Sequence, residues 1–308
     1  MICHMSPPNA SNKIPHKPDY VLGTHNDEHA RLGMQHSLWR EFVLDAWKRA
    51  GIGAGSSVVD VGAGPGFATM DLAEIVGATG HVTAVELSSK FAQEVKDQAN
   101  ARGLNHVSVH IVDLMHEDIP LANMNPGQTA SLSASATESQ SDVHTGAAFD
   151  AAWCRWVCMF VADIGALVER IHTSLRAGGV AVFHEYVHYE TYGLQPPTPG
   201  VDSFTQAAMK SFSARGGNAN IAGTLLKELR AHGFEIVSTK PIARSARPHE
   251  PLWQWPAGFI RTYLPRLVEL GQVDNAFAAN VLAELACAEQ DPQSIMLTPT
   301  VLEIIARK

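Results

Sequence analysis

The chain has 308 residues, of which 45% are hydrophobic and 18% are charged. This composition supplies enough apolar surface for a sizeable core, which excludes a wholly disordered protein. The 23 Lys and Arg residues against 31 Asp and Glu residues leave a formal charge of −8. Because an acidic surface repels phosphate backbones, we do not expect nucleic acid as the main partner.

Apolar runs and cysteine spacing indicate the compartment. No apolar run approaches the roughly 20 residues of a membrane-spanning helix, and residues 1–18 lack the apolar centre of a secretory signal. The four cysteines include no Cys-x-x-Cys pair, which is typical of proteins in a reducing environment. We therefore expect a cytoplasmic protein without membrane contact. Cys154 and Cys158, set in the apolar stretch WCRWVCMF, are expected to be core thiols.

Strands and helices alternate along most of the chain. Residues 1–19, rich in Pro, Asn and Lys, are expected to form a flexible tail, and a helix is predicted over 36–50, where apolar residues recur at helical spacing. The predicted strands that follow are SSVVDVG, HVTAVE, HVSVHIVD, FDAAWCRW, GGVAVFHEY, FEIVSTKPIA and LTPTVLEIIA, and the predicted helices between them are 67–76, 91–101, 164–175 and 224–231. This alternation is typical of an α/β protein with a parallel sheet and helices on both faces.

Other segments interrupt the alternation. Residues 122–148 are rich in Ser, Ala and Thr with almost no large apolar side chain, so they are predicted to be a flexible surface insertion. Two longer inserts with helical patterns are expected to form a mainly helical cap over the substrate. We therefore divide the chain into an N-terminal tail and lid helix (1–50), a core (51–186 with 222–243 and 296–308) and a substrate cap (187–221 with 244–295).

A glycine-rich loop joins the first predicted strand to the helix after it, in the run Asp60-Val-Gly62-Ala-Gly64-Pro-Gly66-Phe67. Glycines there let the backbone approach a ligand, and the free N–H groups of a helix N-terminus favour an anionic one. The run departs from the G-x-G-x-x-G of dehydrogenases because its sixth position is Phe67, and the G-K-[S/T] of a phosphate-binding loop is absent. The loop alone is therefore a weak signal.

Acidic residues at successive strand ends make the signal more specific. Glu86 ends the second predicted strand, where a carboxylate can accept both hydroxyls of a ribose, and Asp113 ends the third, where it can accept the amino group of an adenine. Taken singly, Asp60 could cap its turn and Glu86 could be a solvated strand end. Taken together, three strands that end in acids beside one crevice indicate a nucleoside site at the carboxyl edge of the sheet.

The segments VVDVGAGPGFATMDLAEIVGATGHVTAVELS, VDLMHEDIP and LRAGGVAVFHEY together resemble the class I S-adenosylmethionine-dependent methyltransferases. They are most similar to the small-molecule branch that includes ubiquinone/menaquinone-type enzymes. The resemblance implies a Rossmann-like, seven-stranded, mostly parallel sheet whose last strand is antiparallel, with S-adenosylmethionine as cofactor. It covers the core and leaves out the cap and the insertion.

The resemblance also implies roles for single residues. The strand-end residues expected to bind the cofactor are Asp60, Gly62 and Gly64 at its methionine moiety, Glu86 at the ribose, Leu87, Asp113 and Leu114 at the adenine, and Arg155 beside the methionine end. In similar enzymes an N-terminal segment folds over the cofactor as a lid. Arg31 would then pair with the cofactor's carboxylate and Tyr20 would lie near its sulfonium, although Arg31 could equally be a surface charge.

The run His184-Glu185-Tyr186-Val-His188 matches the H-E-x-x-H signature of zinc proteases. That chemistry needs both histidines one helical turn apart on one face. Here the run continues a strand, in which the two histidines lie more than about 13 Å apart, too far to share one ion. We therefore expect no metal. The same residues, His184, Glu185 and Tyr186, lie on the lip of the predicted site and are candidates to contact the acceptor or to remove its proton, while ordinary polar strand ends remain the alternative.

These observations favour a methyltransferase that acts on a small molecule by in-line displacement at a sulfonium methyl group. Oxygen, nitrogen and carbon acceptors all stay open, a homodimer is possible, and aromatic residues are expected to line the acceptor pocket, several of them being core: Trp153, Trp156, Phe204, Trp253, Trp255, Phe259 and Tyr263. The alternatives are a non-catalytic nucleoside-binding or regulatory protein on the same fold, and a zinc hydrolase that uses His184 and His188.

Overall fold

The computed structural model describes residues 26–121 and 148–308. The predicted tail, Tyr20 and all of the predicted insertion except residue 148 lie outside the described residues. The strands are β1 (Ser57–Val61), β2 (His81–Glu86), β3 (Val107–Ile111), β4 (Phe149–Arg155), β5 (Leu175–Tyr186), β6 (Gly193–Gln195), β7 (Glu235–Ile242), β8 (Ser245–Ala246), β9 (Ile295–Leu297) and β10 (Val301–Arg307).

Eight α-helices accompany these strands in the described part of the chain. They are α1 (Asn26–Arg49), α2 (Phe67–Val76), α3 (Ser89–Ala101), α4 (Ile164–Ser174), α5 (Pro199–Ser213), α6 (Ala222–Ala231), α7 (Gln254–Glu269) and α8 (Asn275–Gln290). Each of them is too short or insufficiently apolar to cross a lipid bilayer.

Seven strands form the main sheet in the order β3-β2-β1-β4-β5-β10-β7. The pairs β1–β2, β1–β4, β2–β3 and β4–β5 are parallel, whereas β10 runs antiparallel to both β5 and β7. The expected Rossmann-like sheet with an antiparallel last strand is therefore confirmed. The carboxyl ends of β1 to β5 all meet at one edge, which positions the site.

The sheet buries side chains on both faces because successive residues of a strand point to opposite sides. On β1, Val59 packs into a cluster with α4, α6 and the cap, while its neighbour Val58 packs into another cluster with α1 and α2. On β5, Phe183 packs into the first of these clusters and its neighbour Val182 into the second. This pattern accounts for the continuous apolar runs of the core strands, as expected for a sheet covered on both faces.

Helix α1 begins at Asn26 rather than at residue 36, where apolar periodicity first appears in the sequence. Its first turns are polar, so periodicity could not detect them. An ion pair between Arg31 and Glu28, three residues apart, lies along this polar stretch, with an Nη2–Oε1 distance of 2.7 Å. Arg31 is consequently held on a helix and not on a loop that closes over the site.

The segments between β5 and β10 that lie outside the core fold above the site edge. Helices α5, α7 and α8 pack together there, and a small three-stranded sheet in the order β6-β9-β8 joins the segments. The sequence did not predict that sheet, since its strands have only two or three residues each. We call these elements the cap.

Candidate functional site

One cavity of about 370 Å³ runs from the carboxyl edge of the main sheet to the cap. At the sheet, its wall is formed by the glycine-rich loop and the ends of β1 to β4. Beneath the cap it is formed by aromatic side chains. We call the first part the strand-end half, lined by Asp60, Gly62, Gly64, Glu86, Leu87, Asp113, Leu114 and Arg155, and the second the cap half, lined by Tyr186, Tyr189, Tyr192, Phe212, Trp255 and Phe259.

The glycine-rich loop needs glycine for two different reasons. Gly62 has a φ of 72°, and a Cβ atom there would lie 2.3 Å from Val157 Cγ2, so it allows close packing of two loops. Gly64 has a φ of 56°, and a Cβ atom there would meet nothing within 4 Å. At Gly64 the left-handed backbone favours glycine, and this residue lines the cavity with open space beside it.

Glu86 is buried at the end of β2 with both of its oxygens engaged. The Gly64 N–H donates to Oε2 and the Ser88 N–H donates to Oε1, each at 2.8 Å. Burial raises the pKa of this carboxyl group, and the backbone donors oppose the rise. Each oxygen retains a further lone pair, so the pair of oxygens can accept two adjacent hydroxyl groups.

Asp60 and Arg155 bring opposite charges to the end of the cavity nearest the sheet centre. Asp60 is buried and accepts a 2.6 Å hydrogen bond from Thr69 Oγ1, and burial raises its pKa to about 6. Burial also lowers the pKa of Arg155, to about 10, so its guanidinium stays charged at neutral pH. Its Nη1 atom is buried without a hydrogen-bond partner among the described residues.

The adenine residues implied by the resemblance also lie on the wall. Leu87 is 36% exposed although it is apolar, and it lines the cavity. Asp113 accepts from the Met115 N–H at 3.0 Å, and its Oδ2 lies 3.0 Å from His116 Nδ1. These partners outweigh the effect of burial and lower the pKa of Asp113, so it is ionised at neutral pH.

Arg31 lines the cavity too, but its charge is already matched. Its Nε and Nη2 atoms both donate to the carboxylate of Glu28 at 2.7 Å, and Nη1 donates to Gln35 Oε1 at 3.0 Å. The same Gln35 oxygen accepts from Trp255 Nε1 at 2.8 Å. This geometry ties α1 to the cap half of the cavity.

Stacked rings form the cap half. Trp156 stacks on Tyr186 and on Trp255, with centroid distances of 5.6 Å in both pairs. Trp153, Trp156, Trp255 and Phe259 line the cavity as expected, whereas Phe204, Trp253 and Tyr263 do not. Tyr189 and Tyr192 also line the cavity but were not predicted from the sequence, although tyrosines recur every third residue from Tyr186, the last residue of β5.

Two of the three predicted catalytic residues lie away from the cavity wall, contrary to expectation. His184 is fully buried, and its Nε2 atom lies 3.3 Å from Glu303 Oε2 on β10. Glu185 is fully buried and accepts from the backbone N–H groups of Val157 and Cys158, both at 2.9 Å. Both side chains are enclosed by neighbouring elements, and the geometry gives neither group access to an acceptor.

The carboxylate of Glu185 fixes the turn after β4. Trp156 adopts a left-handed backbone conformation with a φ of 55°, which is unfavourable for a residue with a Cβ atom. The hydrogen bonds to Glu185 hold Val157 and Cys158, the two residues that follow Trp156. Tyr186, by contrast, lies on the cavity wall as predicted.

The H-E-x-x-H histidines do not meet. His184 is buried inside the sheet, whereas His188 is exposed and its Nδ1 atom lies 3.2 Å from Glu190 Oε1. The one group of potential metal ligands found within residues 26–121 and 148–308 is Cys154, Cys158 and Glu185, and it includes neither histidine. Cys154 and Cys158 are buried, as expected for core thiols.

Comparison with known proteins identifies the domain. Residues 59–183 match the family model described as a methyltransferase domain. The chain is 36% identical over 59 residues to a protein-L-isoaspartate O-methyltransferase of Ignicoccus hospitalis, covering 19% of this chain and 28% of that protein. It is 31% identical over 88 residues to a 2-phytyl-1,4-naphtoquinone methyltransferase of Trichormus variabilis, covering 27% of this chain and 37% of that protein.

The chain thus spans about a third of the length of the curated relatives that it matches. Among solved structures, the [4+2]-cyclase SpnF is similar with a TM-score of 0.51 at 20% identity, over 87% of this chain and 80% of that one. At this identity the likeness shows the fold alone. Residues 59–183 are a class I methyltransferase domain, whose cofactor is S-adenosylmethionine.

The strand-end half fits this cofactor. The methionine end of S-adenosylmethionine carries both an ammonium and a carboxylate group. The site presents the Asp60 carboxylate together with Arg155 Nη1, which has no hydrogen-bond partner within the described part of the chain. The space beside Gly64 is open, and Glu86 offers two oxygens where ribose hydroxyls are expected. The donor set therefore matches the charges of the cofactor.

Proposed function

We propose that this protein transfers a methyl group from S-adenosylmethionine to a small, uncharged or anionic acceptor with an apolar, planar body. The observation that carries the proposal is the continuity of the cavity from the glycine-rich loop to the ring-lined cap half. A cofactor bound in the strand-end half supplies an activated methyl group, and the adjoining cap half offers room for an acceptor beside it.

Residues of the strand-end half would hold the cofactor. Glu86 accepts the ribose hydroxyls, Leu87 packs against the adenine, and Asp113 accepts its amino group. Asp60 and Arg155 attract the ammonium and carboxylate of the methionine end. Each of these assignments agrees with the charge or exposure of the side chain.

Charge in and around the cap half favours an uncharged or anionic acceptor. The acidic residues on the cavity wall are Asp60, Glu86 and Asp113, all in the strand-end half. Guanidinium groups already lie over the rings, with Arg155 Cζ 5.0 Å from the centroid of Trp156 and Arg31 Cζ 5.8 Å from that of Phe259. The charge of Arg31 is offset by Glu28, so the like charge that a cationic acceptor would meet there comes from Arg155.

Catalysis would come mainly from positioning. The acceptor atom forms a bond to the methyl carbon as the carbon–sulfur bond breaks and S-adenosylhomocysteine leaves, and a hydroxyl acceptor gives up its proton to solvent. Alignment within an apolar site then accounts for most of the rate. Tyr186, on the wall and stacked against Trp156, is the residue we assign to orienting the acceptor. Nothing in the geometry supports His184 or Glu185 as a base.

The decisive experiment is a turnover assay with S-adenosylmethionine and a panel of neutral phenols and quinols, aromatic carboxylates, and arylalkylamines, which are cationic at neutral pH. We expect S-adenosylhomocysteine, detected by mass spectrometry, with acceptors of the first two groups. Cofactor binding without turnover of any acceptor would favour a binding or regulatory protein, or another reaction on this fold. Absence of cofactor binding would overturn the proposal.

A matched pair of variants tests where the cofactor binds. Glu86→Ala removes the acceptor of the ribose hydroxyls, which costs about 1.5–3 kcal/mol, or about ten- to hundredfold in affinity. Glu74→Ala removes an exposed carboxylate on α2 that pairs with Arg102, and it should leave affinity unchanged. Calorimetry that gives equal affinities for the two variants would exclude Glu86 from the site. A homodimer and a cytoplasmic location stay predictions.

A further inference from the structure

A chain of hydrogen bonds runs from the cavity wall to the surface of α2 through a histidine that the proposed reaction does not use. Arg155 Nη2 lies 3.1 Å from His36 Nδ1, and His36 Nε2 lies 3.1 Å from Asp71 Oδ2. Asp71 also accepts from Arg40 Nε at 2.7 Å. His36 and Asp71 are both largely withdrawn from solvent, with side chains 8% and 13% exposed.

The donors in this chain determine which nitrogen of His36 carries a proton. A guanidinium has only donors, so Nδ1 of His36 must accept from Arg155 and carries no hydrogen. The remaining proton is therefore on Nε2, where it is donated to Asp71. The arrangement requires the neutral imidazole, and it fixes the Arg155 guanidinium while Nη1 stays without a partner among the residues described.

We propose that His36 is a positioning residue that aims Arg155 at the carboxylate of the cofactor, and that only its neutral form does so. This inference rests on the proposed function, because the carboxylate in question belongs to S-adenosylmethionine. It also assigns the carboxylate to Arg155 and not to Arg31, whose guanidinium is already paired with Glu28.

Protonation of His36 would place a second donor against Arg155. The charged groups that face His36 are Asp71 from α2, Arg40 from α1 and Arg155 from β4, and the Phe67 ring stacks on it at a centroid distance of 6.0 Å. Burial lowers the pKa of His36, Asp71 opposes this, and both arginines add to it. His36 is thus neutral at pH 7, and cofactor affinity should fall only at pH values below the ordinary pKa range of histidine.

The test uses two ligands that differ at the methionine end. S-adenosylhomocysteine has the carboxylate, whereas 5′-methylthioadenosine lacks it and keeps the nucleoside. We expect His36→Phe to lower affinity for the first by about tenfold at pH 7.5, the usual effect of losing an aligned charged hydrogen bond. Affinity for the second should change less than about twofold, and His29→Asn on the same helix should alter neither.

A second variant separates positioning from folding. The amide oxygen of His36→Asn can accept from Arg155 but does not titrate, so this variant should retain most of the affinity at pH 7.5. It should also show a weaker loss at pH 5.5 than the wild type, and the loss that remains is due to Asp60, whose pKa is about 6.

Three results have distinct meanings in this experiment. Equal losses for both ligands in His36→Phe, or the same pH profile in His36→Asn as in the wild type, would overturn the positioning role. Failure of the wild type to bind either nucleoside would instead overturn the proposed function. A loss confined to S-adenosylhomocysteine supports both.

Discussion

The two halves of the cavity are built in different ways. The strand-end half comes from one continuous βαβαβ run with β4 added, so its polar groups are fixed by the edge of a sheet. The cap half combines residues from the end of β5, α5 and α7, with Gln35 of α1 joined to Trp255. The first half recognises charge and hydrogen bonds, and the second offers ring surfaces. A chain can thus keep one cofactor site while its cap adapts to a different acceptor.

The largest expected effect is on the free energy of unfolding, and it tests whether Glu185 has a structural or a catalytic role. Glu185→Ala leaves two backbone N–H groups beside Trp156 without an acceptor, and we expect the free energy of unfolding to fall by about 3 kcal/mol. Glu185→Gln keeps one acceptor oxygen and should lose less than half as much. Denaturation in urea measures both.

The activity of the same pair supplies the contrast. A general base replaced by Gln would lower kcat by about 10²–10⁴, whereas a residue that only fixes the turn should leave kcat within about threefold in Glu185→Gln. A large fall in kcat with unchanged stability would restore the catalytic role that the sequence suggested.

A smaller effect concerns the charge in the strand-end half. Burial raises the pKa of Asp60 from 3.8 to about 6, so the folded protein binds more protons than the unfolded chain between these values. Asp60 therefore reduces stability as the pH rises through this window. Asp60→Asn should be more stable than the wild type by about 2–3 kcal/mol at pH 7, and the difference should vanish near pH 4.

Thermal unfolding at several pH values measures this difference, and calorimetry should show weaker cofactor binding in the same variant. Equal stability of Asp60→Asn and the wild type at pH 7 would mean that burial does not disfavour the charged form of the Asp60 carboxyl group. An Asp60→Asn variant that is more stable but binds the cofactor more weakly would show that the strand-end half is less stable because it keeps a charged group for recognition.

The smallest effect separates the two halves directly. Trp255→Leu removes a ring from the cap half and should lower kcat/KM for the acceptor by about tenfold, while cofactor affinity changes less than about twofold. Trp253→Phe is the control, because Trp253 does not line the cavity. A matching loss of cofactor affinity in Trp255→Leu would show that the halves are coupled through Gln35.

The sequence predicted the main sheet and the strand-end half well, for a physical reason. Asp60, Glu86 and Asp113 follow buried strands, and parallel strands end at one edge, so spacing along the chain translates into proximity. Helix α2 was predicted at its observed limits because a glycine borders it at each end, Gly66 and Gly77.

The sequence could not predict which residues at the end of β5 would be enclosed by neighbouring elements. His184 and Glu185 stand at the correct edge, yet the pairing of β10 beside β5 places Glu303 against His184 and leaves only Tyr186 on the wall. The hydrogen bond between His36 and Arg155 could not be predicted from the sequence either, because it joins residues 119 positions apart. The regular spacing of the tyrosines after β5 is visible in the sequence, but their position on the cavity wall could not be predicted from it.

A crystal structure with S-adenosylhomocysteine bound tests the central claim most directly, that one cavity holds the cofactor at the strand ends and leaves the cap half for an acceptor. We predict ribose hydroxyls on the Glu86 carboxylate, a carboxylate within hydrogen-bond distance of Arg155 Nη1, and an open cap half bordered by Tyr186 and Trp255. A ligand carboxylate on Arg31, or a nucleoside seated among the cap rings, would contradict the account.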